Sequence, residues 1–111
     1  MGMARDEACG YCPHFHRAIE LIGRRWTGAI LQSLLDGTTR FSDIRDSVPG
    51  LSDRLLSERL RELEELGVVE RNADARDVQY RLTEVGEGIE PVLDSVGDWA
   101  RQLSAVTPLR D

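Results

Sequence analysis

The pair Pro49-Gly50 constrains this chain more than any other two neighbouring residues. It ends one helical pattern, and within two positions a second begins. In FSDIRDSV, residues 41–48, Phe41, Ile44 and Val48 fall at i, i+3 and i+7 and so share a face. After the break, Ser52 suits the N-cap of a run in which Leu56, Leu60 and Leu63 line one side. Gly67 suits its end. Two helices joined by so short a turn outline a helix-turn-helix over about residues 41–66, whose second helix can lie in a major groove.

The opposite face of that second helix carries the chemistry. Arg54, Ser57, Glu58 and Arg61 sit at i, i+3, i+4 and i+7, away from the leucines. Arginine can bond guanine through two donors, serine can reach base edges or a phosphate, and glutamate can accept from cytosine. The same pattern also fits an ordinary solvated face, with Arg54–Glu58 and Glu58–Glu62 as i, i+4 neighbours. The segment after the helix favours the nucleic-acid reading. Val78, Tyr80 and Leu82 alternate as a strand should, and Val68 and Val69 begin a partner, giving a hairpin over about residues 68–82. Its tip, NADARD, would carry Arg76 toward a phosphate backbone or minor groove, as a wing.

At this point several segments together resemble the HxlR-type winged helix-turn-helix transcription regulators. They are RRWTGAIL, then TTRFSDIRDSVPGLSDRLLSERLRELEELGVVER, then YRLTEVGEGIEPVL and Asp98-Trp99, preceded by the Cys12-Pro13 pair. The resemblance spans about residues 12–103, with many motifs in order. It implies a dimeric bacterial regulator related to the MarR group, often responsive to reactive electrophiles or thiol oxidation. It places the sensing thiol at Cys12, makes Phe41 structural and lets Arg40 reach a phosphate. Cys9 has no counterpart in the family pattern. The wing departs from it too: NADARD is short, lacks proline and carries Asp74 and Asp77.

The chain is 111 residues long, enough for one domain of about residues 12–104 between tails at 1–11 and 105–111. That leaves no room for a separate effector domain, so a signal would act through the thiols, a dimer interface or a small pocket between helices. No apolar run reaches membrane-spanning length and no signal-peptide pattern opens the chain, so a cytoplasmic protein is expected.

Charge weighs against nucleic-acid binding. The net charge is −6, and every one of the 14 basic residues is arginine. A DNA-binding domain is expected to be basic. The charge is segregated, however. From residue 40 to 61, Arg40, Arg45, Arg54, Arg59 and Arg61 outnumber Asp43, Asp46, Asp53 and Glu58, whereas Glu84, Glu87, Glu90, Asp94 and Asp98 cluster in the last helix. The expectation is modest affinity with strong salt dependence.

Toward the N-terminus, Pro13 fits a first helical turn and makes Cys12 the N-cap of a helix striped by Phe15, Ala18, Ile19 and Ile22 and ended by Gly23. There the macrodipole favours a thiolate and raises reactivity. Cys9 and Cys12 admit three readings: a redox switch, a pair of inert reduced cysteines, or a zinc knuckle with His14 and His16, whose spacing is too tight for the usual site. A second helix is expected over Arg24–Leu35, with Trp26, Ile30 and Leu34 on one side, Gly28 allowing a close backbone approach and Gly37 as the stop. Thr38–Arg40 could add a third strand to the wing sheet.

The last helix is expected over about residues 83–104, capped by Thr83 and bent near Pro91. Its stripe of Ile89, Val92, Val96, Trp99 and Leu103 exceeds what one small core can cover. Dimerisation with Phe15, Ile19 and Ile22 of the first helix is the natural sink, unless Trp99 folds back on its own subunit.

The sequence therefore predicts a mainly α fold with a small β-hairpin wing, dimerising through its N- and C-terminal helices on an operator of double-stranded DNA. Arg54, Ser57 and Arg61 are the base-reading candidates, with Glu58 facing cytosine; Arg40, Ser52, Arg59 and Arg76 are positioning candidates. No cofactor, no metal and no catalytic role is expected; a small electrophile or oxidant is the candidate effector. Two rivals are a winged-helix protein–protein module, kept open by the acidic charge, and a thiol–disulfide enzyme, for which the strand-rich frame around the cysteines is missing.

Overall fold

A computed structural model describes residues 12–74 and 77–107. In chain order the elements are α1 (Pro13–Gly23), α2 (Thr27–Leu35), α3 (Phe41–Ser47), α4 (Asp53–Glu65), β1 (Val69–Ala73), β2 (Val78–Leu82), α5 (Glu84–Glu87) and α6 (Glu90–Val106). The expectations for the N-terminal tail, Cys9, Arg76 and residues 108–111 lie outside the described residues.

The architecture is the winged helix-turn-helix that the sequence outlined. Helices α2, α3 and α4 pack around Ile30, Leu31, Ile44, Leu56, Leu60 and Leu63, and the base of the hairpin closes the core with Val69 and Leu82. Helix α4 is fixed at both ends by its own sequence. The Ser52 hydroxyl accepts a hydrogen bond from the Leu55 N–H at 3.1 Å, relieving one of the unpaired donors of the first turn. At the other end, Gly67 has φ +79°; the Val68 N–H donates to the Leu63 carbonyl and the Gly67 N–H to the Glu64 carbonyl, a Schellman closure. Strand β1 begins two residues later, so the turn of this glycine sets the angle between helix and wing.

Strands β1 and β2 pair antiparallel with Val69 opposite Leu82 and Ala73 opposite Val78. The expected third strand is a single bridge instead. Arg40 pairs with Gln79, and the Tyr80 N–H donates to the Thr39 carbonyl at 2.8 Å. Phe41 starts α3 immediately afterwards, so the chain stays extended only for Thr38–Arg40.

Three other expectations are corrected. The second helix does not start at Arg24: Arg24–Trp26 form a tight corner, with Trp26 at φ +79°, and α2 begins at Thr27. The glycine that permits a close approach is not Gly28, where an added Cβ would lie 4.0 Å from the Ile22 carbonyl oxygen. It is Gly86, where it would lie 2.1 Å from that of Val68. Finally, the last helix is two helices. Thr83 caps the short α5 by accepting from the Gly86 N–H at 3.1 Å, and its hydroxyl donates to the Gly67 carbonyl at 2.6 Å. Pro91 does not bend a continuous helix; it lies in the first turn of α6, where a missing N–H costs nothing.

Helices α1 and α6 bury little of themselves. Leu21, Ile89 and Leu93 pack against the core, while Phe15 is 64% exposed and Trp99 60%, with Ile19, Val92, Val96 and Leu103 also exposed. Trp99 has not folded back onto its own subunit. Ile89, expected at a dimer interface, serves the subunit's own core, and Ile22 is half-buried.

Candidate nucleic-acid interface

The outward face of α4 is set by the leucines on its inward face. With Leu56, Leu60 and Leu63 fully buried, positions 54, 58 and 61 are turned well away from them and position 57 lies to the side. Arg54, Ser57 and Arg61 are exposed, the Arg54 side chain at 88%. Glu58 is half-buried and leans toward Arg54, 3.9 Å from its Nε. Among the described residues Arg61 has no carboxylate partner. This face joins two long, multi-donor guanidinium groups and a hydroxyl along one stretch of rigid helix, the arrangement that reaches base edges in a groove.

Arg59 does not belong to that face, which corrects its assignment as a phosphate-positioning residue. Only 9% exposed, it lies beside the leucine stripe. Its Nε donates to the Arg25 carbonyl at 3.1 Å and its Nη1 approaches Glu62 at 3.4 Å and Glu58 at 3.6 Å. A buried guanidinium on a backbone carbonyl, flanked by two carboxylates, is a structural brace. It has neighbours: Arg24 reaches Glu62 at 3.1 Å, and the Trp26 ring lies against Gly50, where a Cβ would come within 3.1 Å of the ring. The corner between α1 and α2 therefore touches α4 and the turn before it at several points.

Residue type does not distinguish Arg45 from the other arginines, and the interface expected from sequence omits it. It extends from α3 across the turn, donating through Nη1 to Asp53 at 2.8 Å and through Nε to Asp46 at 3.1 Å. Hydrogen bonds to Asp53 and then Asp46, followed by their coulombic pull, raise its pKa above the ordinary arginine value, so the group is always charged. Arg40, bridged to β2 near the tip end of the wing, holds Asp77 at 3.2 Å. On the outer face of the hairpin Arg81 pairs with Glu70 at 2.9 Å, as their direct cross-strand register allows. Ser52, expected to position a phosphate, is exposed; its oxygen accepts the capping bond, which leaves its O–H to donate. Most of the cations around α4 thus already hold an anion of their own.

Cys12 is the N-cap residue of α1 and half-buried; its side chain makes no capping bond, while its carbonyl accepts from the His16 N–H at 2.9 Å. An open hollow of about 340 Å³ follows along α1, lined by His14, Arg17, Ala18, Leu21, Leu66 and Val68. Among the described residues no group of three His, Cys, Asp or Glu side chains is placed to hold a metal ion. No helix there is long and apolar enough to cross a membrane.

A family profile described as HxlR-like helix-turn-helix matches residues 21–107. The chain belongs to the HxlR-like helix-turn-helix family. It is 40% identical over 94 residues to the HTH-type transcriptional regulator YvaP of Bacillus subtilis, covering 82% of this chain and 87% of YvaP. The reduced form of the transcriptional regulator YodB from B. subtilis superposes with a TM-score of 0.76 at 39% identity, covering 83% of this chain and 93% of YodB. The quinone-bound form of YodB gives 0.74 at 39% identity, over 83% and 99%. The redox regulator HypR in its reduced form gives 0.75 at 32% identity, over 83% and 94%. As an HxlR-like protein the chain is a helix-turn-helix transcriptional regulator, a family whose members are not enzymes.

Proposed function

We propose that the chain is a sequence-specific DNA-binding regulator that works as a homodimer and responds to thiol oxidation or electrophiles through Cys12. The observation that carries the DNA reading is the exposed Arg54–Ser57–Arg61 face on a helix capped at both ends and braced by Arg59. Two such helices related by a two-fold axis would enter successive major grooves, with half-site centres about 34 Å apart or a multiple of it. Arg54 and Arg61 read bases, Ser57 a base edge or phosphate and Glu58 cytosine, while Arg40 and Arg76 meet the backbone.

The thiol reading rests on Cys12 at the start of α1 and on where α1 ends. That end is the Arg24–Trp26 corner, braced to α4 by Arg59 and Glu62 and packed against Gly50. A displacement of α1 is therefore passed to the recognition helix through contacts already in place. The likeness to YodB, solved in reduced, diamide-treated and quinone-bound forms, supports the same chemistry.

Pull-down of genomic fragments with the purified protein at low and moderate salt, followed by sequencing, tests the DNA reading. A recovered palindrome whose binding weakens steeply with salt is the expected result. A dimer that recovers nothing above background would instead favour a protein–protein module, the reading that the net charge of −6 supports. Diamide treatment is expected to change operator affinity of the wild type and to leave Cys12→Ser unaffected; equal behaviour of the two removes Cys12 as the sensor.

A further inference from the structure

We propose that Asp53 and Asp77 are specificity-determining residues that hold Arg45 and Arg40 in internal pairs, so that duplex of arbitrary sequence is bound weakly. The inference rests on the DNA-binding reading above and adds a role to residues which that reading leaves idle.

One pair lies on the wing and the other on the recognition helix. Arg45 and Asp53, 2.8 Å apart, bridge the turn at its N-terminal end. Arg40 and Asp77, 3.2 Å apart, join the start of α3 to the tip end of the wing, and the Gln79 amide also donates to Asp77 at 3.4 Å. Folding gains little from either pair beyond the carboxylate that Asp53 places in the first turn of α4. Side chains of Asp53 and Arg40 are more than half exposed, at 64% and 59%, and ion pairs so wetted contribute little to stability. Their location is better explained by what approaches that surface. Non-specific binding to duplex DNA is driven by arginine and lysine releasing counterions from phosphates. A guanidinium already matched by a carboxylate brings no net charge to that exchange, and the carboxylate repels the phosphate.

Matched sequence can offset this cost and arbitrary sequence cannot. Arg61 has no carboxylate partner among the described residues, and Arg54 has only the loose 3.9 Å contact with Glu58. Both remain available for base edges. In the operator complex the two aspartates also fix where the Arg45 and Arg40 forks sit, so removing them loses positioning there, whereas on any duplex it removes a repelling carboxylate, frees Arg40 and leaves Arg45 to Asp46 alone. The acidic balance around the motif then has a use: it widens the gap between operator and background, which matters because background sites vastly outnumber operators.

The test uses Asp53→Asn and Asp77→Asn in the full chain, with Asp94→Asn on α6 as a charge-matched control away from the motif. Affinity is measured over a salt series for the operator recovered by pull-down and for a scrambled duplex of equal length. Each of the two variants is expected to bind the scrambled duplex about three- to fivefold more tightly at low salt, the scale of one nearby charge in water. The dependence on salt should steepen by about one counterion. Operator affinity rises less, so the ratio of the two falls, and Asp94→Asn changes neither. Unchanged or weaker scrambled-duplex binding by both variants, or an equal rise in Asp94→Asn, overturns the inference while operator binding by the wild type leaves the DNA reading standing. If neither wild type nor variants bind any duplex, both fall together.

Discussion

Arg54, Arg59 and Arg61 are one residue type on one helix, yet they occupy two environments. Each turn of helix advances 3.6 residues, so Arg59, three after Leu56 and four before Leu63, is carried to the buried side. The spacing alone places Arg59 there; residue type does not. Replacing Arg54 by alanine should weaken operator binding by about 1–3 kcal/mol and relax one position of the site. A binding-site selection in which the variant keeps wild-type affinity and preference would rule that role out. Glycines divide in the same way. Gly86→Ala drives a methyl group into the Val68 carbonyl, which neither backbone can avoid without moving, and should destabilise the fold by at least about 2 kcal/mol. Gly28→Ala meets nothing closer than 4.0 Å and should instead stabilise by up to about 1 kcal/mol through helix propensity. Chemical denaturation of the two variants side by side checks the contrast.

At the scale of elements, the joints matter more than the helices. The recognition helix is positioned by its Ser52 cap, its Gly67 closure and the Arg24–Trp26 corner, which hydrogen-bonds it through Arg59. Trp26 at φ +79° is a conformation that bulky residues rarely adopt, and it persists because Arg59 holds the carbonyl before it and the indole has a seat over Gly50. Arg59→Ala leaves the Arg25 carbonyl without its partner and should cost about 1–3 kcal/mol of stability. Because the residue faces inward, the variant should keep the base preferences of the wild type at temperatures where it is folded. A changed preference in a site selection would return Arg59 to the reading surface. The start of α5 is likewise a joint: the Thr83 hydroxyl ties the end of β2 to the Gly67 turn.

For the molecule as a whole, the decisive feature is apolar surface without a cover. Phe15 and Ile19 on α1 and Val92, Val96, Trp99 and Leu103 on α6 stay exposed while the core beneath α2–α4 is complete. An exposed apolar row on each of two helices is more than a monomer ordinarily leaves in water. We expect a second copy to cover it, with the two-fold axis that a palindromic operator requires. Trp99→Asp should shift the protein to monomer by a factor of about 30 or more in dissociation constant, the scale of a large aromatic anchor. Helical content should remain. Sedimentation equilibrium that finds Trp99→Asp as dimeric as wild type would place the interface elsewhere.

Much of this could be read before any fold was known, because the determinants are local. The caps at Ser52 and Thr83, the Gly67 stop, the leucine stripe and the alternation of Val78, Tyr80 and Leu82 each act within a few residues of where they are written. The helix-turn-helix, its wing and the outward arginine face are consequences of them. What the tertiary structure decided are relations between segments distant in sequence. The corner that meets α4, the Gly86 approach to Val68, the burial of Arg59 and the pairing of Arg40 with Asp77 all join residues with no shared period. Periodicity assigns a side chain to a face; only packing decides what that face meets, and so which arginines are left for a partner.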